Sequence, residues 1–135
     1  MLRRYVATTL FGLFPLCSAA DTYGEEGQME IVPLNATDFE VLDGPRMGPH
    51  EYWCAAASYN EARLGRSERA FIYIKTPRGP SVTAPGRKGV VFTFDPTGAS
   101  NTARALTIEV DQAGLRQKSS VARRLCRDAF TRSTK

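Results

Sequence analysis

The chain has 135 residues, with 18 Lys and Arg against 14 Asp and Glu, one His and three Cys. A formal charge of +4 is too small to imply a polyanionic partner by itself. A single histidine cannot furnish a multi-histidine metal site, and no internal repeat is visible along the sequence.

The first 20 residues have the layout of a secretory signal. Met1-Leu-Arg-Arg is the positive end, Tyr5 to Leu16 the apolar run and Cys17-Ser-Ala-Ala the small-residue exit. Cleavage after Ala20 is expected, with Ser18 and Ala20 at the third and first positions before the cut. A membrane anchor is the rival reading, but about 12 apolar residues span only ~18 Å as a helix against a hydrocarbon core of ~30 Å. Cys17 suggests lipidation, yet Leu16 and Pro15 precede it where a small residue is wanted. Arg3-Arg4 could mark twin-arginine export, but Tyr5-Val-Ala follows where that route favours a bulkier, more basic continuation.

Removing those 20 residues leaves 115, enough for one core and not two. The mature charge is then 16 basic against 14 acidic residues, and its distribution is uneven. Residues 21–62 hold nine acids and one base, whereas 63–135 hold fifteen bases and five acids. Either the halves neutralise each other across the fold or one face stays basic. No later stretch resembles a transmembrane segment.

Asp21 to Gln28 reads as a mobile polar leader. Met29 to Leu34 and Thr37 to Leu42 are β-prone, the second alternating Phe39 and Val41 against Asp38 and Glu40, and Pro33 confines the first to an edge or makes it irregular. A helix is expected from about Pro49 to Leu64, with Pro49 in its first turn and Gly65 just past its last. Glu51, Asn60, Glu61 and Arg63 can face water, and the Ala55-Ala-Ala run lets this helix lie close against a sheet. Strands are expected over 69–76, 90–94 and 106–110, in the last of which Leu106, Ile108 and Val110 point one way. The connections 77–89 and 95–105 are long for hairpins. A final helix runs from Ser119 or Ser120 to about Phe130, with Val121, Leu125, Ala129 and Phe130 as its apolar stripe. The whole is expected to be an α+β domain over 29–131, with a tail from 132: a mostly antiparallel sheet of four to five strands packed by two helices.

After the leader goes, Cys54 and Cys126 remain, and an exported domain with two cysteines most simply joins them. His50 lies four residues before Cys54, which would suit half a metal site or a thiolate and its base, but the first wants more ligands and the second a free thiol. No Gly-x-Ser-x-Gly elbow presents a serine to His50. The loop Pro77 to Gly89 mixes glycines with Arg78, Ser81, Arg87 and Lys88, a composition that can cradle an anion or meet a partner, though its spacing is not that of a P-loop. Arg123, Arg124 and Arg127, with Arg132, form a second basic patch that suits a helix C-terminus, the acidic half of the chain, or anionic lipid and envelope polymer. Tyr52, Trp53 and Tyr59 at helical spacing read as core rather than a carbohydrate platform. Nucleic acid is not expected, since no recognised motif is present.

The pieces Tyr52-Trp-Cys-Ala, Tyr59, Ile72-Tyr-Ile, Gly79-Pro-Ser, Pro85-Gly-Arg, Val91-Phe-Thr-Phe and Cys126 resemble small exported proteins of marine and photosynthetic alphaproteobacteria. The resemblance covers roughly residues 39–126; it implies a paired Cys54 and Cys126 and a Gram-negative periplasm, and brings no activity with it. The leading expectation is therefore a non-enzymatic periplasmic binding or accessory module, without metal or cofactor, that uses the 77–89 loop toward a protein or an anionic envelope component. A small envelope hydrolase or other enzyme, and a structural or inhibitor-like protein, are the alternatives.

Overall fold

A computed structural model describes residues 21–23, 29–99 and 103–133, with side chains placed for 29–99 and 103–126. The expected signal, residues 24–28 of the expected leader and the side chain of Arg127 lie outside the described residues, whereas Asp21–Tyr23, expected in that mobile leader, form a strand paired with Met29 to Ile31. The fold is α+β: one mixed sheet, two helices and one disulfide.

The strands are β1 (Asp21–Tyr23), β2 (Met29–Pro33), β3 (Asp38–Leu42), β4 (Phe71–Pro80), β5 (Lys88–Thr93), β6 (Ala103–Arg104) and β7 (Leu115–Lys118). They form one seven-stranded sheet in the order β1-β2-β3-β5-β4-β7-β6, larger than the four to five strands expected. Every pairing is antiparallel except β6 with β7, which is parallel. Pro33 does not put β2 at an edge, because β1 pairs only with Met29 to Ile31 and stops short of the proline.

Helix α1 (Pro49–Ser58) continues through a π-helical turn, Tyr59–Arg63, and Gly65 follows at φ 60° in the left-handed region that glycine tolerates best. Its start is fixed by Glu51, whose Oε2 accepts from the Gly48 N–H at 2.8 Å. The π turn holds more residues per turn than an α-helix, so the polar stripe drifts inward. Asn60, expected to face water, is fully buried and donates from Nδ2 to the Ser67 carbonyl at 3.2 Å. Tyr52, Trp53 and Ala55 to Ala57 are all buried, so α1 is apolar nearly all round and lies between the sheet and α2 (Ser119–Ser133).

The core joins that helix to one face of the sheet. Phe39, Val41, Ile72, Ile74, Val90 and Phe92 point to it from alternate positions, with Phe39 packed 4.7 Å from Tyr59 and Trp53 5.2 Å from Phe92 between ring centroids. In α2, Ala122 is buried and Leu125 and Cys126 pack against the core, while Val121, expected in the apolar stripe, is 44% exposed. Cys54 and Cys126 are bonded at 2.09 Å across α1 and α2.

The segment 106–110 is not a strand. Leu106 is 93% exposed, and the chain is instead tied to both α1 and β4: the Trp53 indole N–H donates to the Ile108 carbonyl at 2.8 Å and the Arg78 N–H to the Val110 carbonyl at 2.9 Å. The strand that pairs with β4 is the polar Leu115-Arg-Gln-Lys118. Strand β4 also runs on to Pro80, with register shifts between Ile74 and Thr76 and between Thr76 and Gly79 that absorb Pro77. The long connection expected over 77–89 thereby shrinks to residues 81–87.

Candidate functional site

The shortened loop is built on a carboxylate. Glu40 extends from the face of β3 opposite the aromatic core and is only 1% exposed. Its Oε1 accepts from the Val82 N–H at 2.9 Å, and its Oε2 from the hydroxyls of Ser81 at 3.1 Å and Thr83 at 2.5 Å. Ser81 Oγ in turn accepts from the Thr83 and Ala84 N–H groups at 3.1 and 2.8 Å. The loop closes with Ala84-Pro-Gly-Arg87, the Arg87 N–H donating to the Ala84 carbonyl at 3.2 Å with Gly86 at φ 79°, as a type II turn requires. The Ser81-Val-Thr stretch is thus an anion cradle whose occupant is the protein's own Glu40.

Gly89 makes room for that carboxylate. A Cβ there would stand 2.6 Å from Glu40 Oε1, and its three nearest atoms all belong to Glu40. Only a residue without a side chain lets Glu40 cross β5 to reach the loop.

The loop cations turn toward acids. Arg78 donates to Asp43 Oδ2 at 2.6 Å, and Arg87 donates to Glu30 Oε2 and to the Asp43 carbonyl, the latter at 2.9 Å. The sequence-derived Arg78 and Arg87 therefore converge on one residue, Asp43, rather than on open solvent. The hydrogen bond to Asp43 raises the Arg78 pKa, and burial, reinforced by the Asp43 carboxylate, pushes the Tyr52 phenol above its ordinary range. Tyr52 stays protonated beside this pair, and the Arg78 guanidinium lies 5.8 Å from its ring centroid. Lys88 is exposed on β5 across from Pro80, and Val82 stands 60% exposed at the loop's outer side. An open groove of about 540 Å³ runs between β2 and the loop, lined among others by Glu30, Val32, Leu42 and Ala84.

The second basic patch lies on α2, away from this loop. Arg123 Nη1 is 3.3 Å from Glu61 Oε2, an ion pair without good hydrogen-bond alignment, and Arg124 is exposed. Cys54 is held in the disulfide, so it offers no thiol to His50 one helical turn away. Among the described residues, no cluster of three or more His, Cys, Asp or Glu side chains is arranged to hold a metal ion. No described helix is long and apolar enough to cross a membrane.

Glu40 and Asp43, on which the loop depends, were not singled out from sequence. The available signals were an acid in a strand otherwise rich in apolar residues and a glycine opening a strand of the same sheet. No family model, curated protein or solved structure matches the chain.

Proposed function

We propose that the chain is an exported, non-enzymatic binding or accessory module of the periplasm, which meets its partner with the loop 81–87 and the adjoining Lys88. The observation that carries this reading is the anchoring of the loop on Glu40, which fixes its conformation before any partner arrives. A preorganised loop loses little conformational entropy on binding, which is the main cost that flexible recognition loops bear. Pro80 and Pro85 restrict the same backbone further, and Val82 and Lys88 are left as its outward chemistry. The disulfide fits an oxidising compartment and accords with the signal-like first 20 residues.

The test is recovery of partners from envelope extract on the immobilised secreted form, repeated with Val82→Asp and Lys88→Glu. Neither side chain is committed to an internal contact, so both variants should fold and lose the partner by at least about ten-fold, the effect of one buried contact worth ~1.4 kcal/mol. Recovery unchanged by both variants would discard the loop as the contact surface. An inhibitor-like role is the second reading, favoured by the same rigid loop with Val82 at its outer side; slow-tight inhibition of an envelope protease, abolished by Val82→Asp, would establish it.

A further inference from the structure

The face of the sheet opposite the helices carries a second feature, beside the Phe71 end of β4, whereas the loop lies at its Pro80 end. In the parallel pair of β6 and β7, Arg104 and Arg116 are direct cross-strand partners. Like charges in that position destabilise a sheet unless a counter-charge is near. Lys118 lies two residues on along the same face of β7, in register with Phe71 of β4. The Arg116 guanidinium lies 4.8 Å and the Lys118 ammonium 5.9 Å from the Phe71 ring centroid. Such stacking holds the cations in place without neutralising them.

The resolved ion pairs elsewhere engage Lys75, Arg78, Arg87 and Arg123, and none includes Arg104, Arg116 or Lys118. Arg116 Nε is buried and has no hydrogen-bond partner among the described residues. Glu68 and Glu109 are near in the chain, but neither pairs with these three cations among the described residues.

Leu106 adds an apolar group to the same corner. The Ala105 N–H donates to the Arg116 carbonyl at 3.0 Å, so Leu106 leaves the sheet at the level of these cations. Two residues later the Ile108 carbonyl is held by Trp53, and Val110 is buried. Leu106 therefore stands 93% exposed on a segment tied down at both ends. An apolar side chain flanked by uncompensated cations matches the chemistry of an interfacial contact: the apolar group enters the boundary of headgroups and acyl chains while the cations meet phosphates.

We propose that Arg104, Arg116, Lys118 and Leu106 form a peripheral docking site for an anionic lipid surface. An acidic polysaccharide would use the cations but would gain nothing from Leu106, and this side chain decides in favour of lipid. With one principal apolar anchor and three cations, the association is reversible and salt-sensitive.

The experiment is co-sedimentation of the oxidised secreted form with phosphatidylcholine vesicles containing about 30% phosphatidylglycerol, against phosphatidylcholine alone. Binding is expected to the anionic vesicles only and to be released by high salt. Arg104→Ala and Lys118→Ala should each weaken it about five-fold, and Leu106→Ser should weaken it comparably with no change in charge. Lys88→Ala should leave it unchanged, which separates this site from the loop. Because Leu106 is exposed, the serine variant should keep its near-ultraviolet circular dichroism, and Leu106→Trp should show a blue-shifted emission on vesicles. Failure to bind anionic vesicles overturns the proposal. So does binding that ignores Leu106→Ser and is matched by a soluble acidic polysaccharide, which would identify a polymer contact instead.

Discussion

Asp38 shows how a buried carboxylate can be kept charged. Burial alone would raise its pKa, but Lys75, Thr93, Asn35 and Thr37 together hold it at about 2, against an ordinary value of 3.8. The Lys75 ammonium is 2.5 Å from Oδ2, Asn35 donates to the same oxygen at 3.1 Å, and Thr37 donates to Oδ1 at 3.0 Å. The folded pKa lies below the unfolded one, so the stabilisation is complete above about pH 4 and disappears as pH falls toward about 2. Asp38→Asn should therefore cost about 2 kcal/mol at neutral pH. That difference from wild type should vanish by about pH 2 in urea melts taken across the acid range. A gap that stayed constant with pH would mean that the aspartate acts by shape and not by charge.

At the scale of elements, β3, β5 and the loop are coupled through Glu40 and Gly89. Glu40→Ala leaves the loop's hydroxyls and one N–H without their acceptor, a loss of about 3 kcal/mol. Gly89→Ala forces the carboxylate aside and should cost about 2 kcal/mol. Because the three atoms nearest the new methyl all belong to Glu40, the double variant should be little worse than Glu40→Ala alone, which a double-mutant cycle of denaturant unfolding measures directly. Elements with strong local signals were legible from sequence. Pro49, Glu51 and Gly65 marked α1, and Val90-Val-Phe-Thr-Phe94 marked β5. The alternation of Leu106, Ile108 and Val110 misled because a connection tied to α1 and to β4 can also bury alternate residues. Here Val110 is buried and Ile108 partly so, while Leu106 faces solvent. The polar β7 carried no signal, since its place is set by pairing with β4 rather than by its own composition. The arginines of the candidate site were legible as residues, but their acidic partners were not, because Glu30 and Asp43 reach them only through the sheet order.

For the whole molecule, the uneven charge of the sequence has a direct structural counterpart. Asp38 with Lys75, Asp43 with Arg78, Glu30 with Arg87 and Glu61 with Arg123 each join an acid from the first half to a base from the second. The pair of Glu30 with Arg87, exposed on both sides, contributes little by itself, whereas Asp38 is buried. The disulfide contributes more, because closing a loop of 72 residues removes up to roughly 4 kcal/mol of unfolded-chain entropy. Replacing Cys54 and Cys126 together by Ala should lower the unfolding free energy by about 2–4 kcal/mol in denaturant titration, and a loss below about 1 kcal/mol would show that the helix contact suffices without it. The same spacing also dictates an order of events. Whenever the polypeptide is delivered from its amino end, the first sulfur of the pair arrives well before the second, and four of the seven described strands, β4 to β7, must emerge in between. Covalent closure is accordingly a finishing step, and until then a lone thiol waits on the growing chain, open to mispairing with neighbouring molecules.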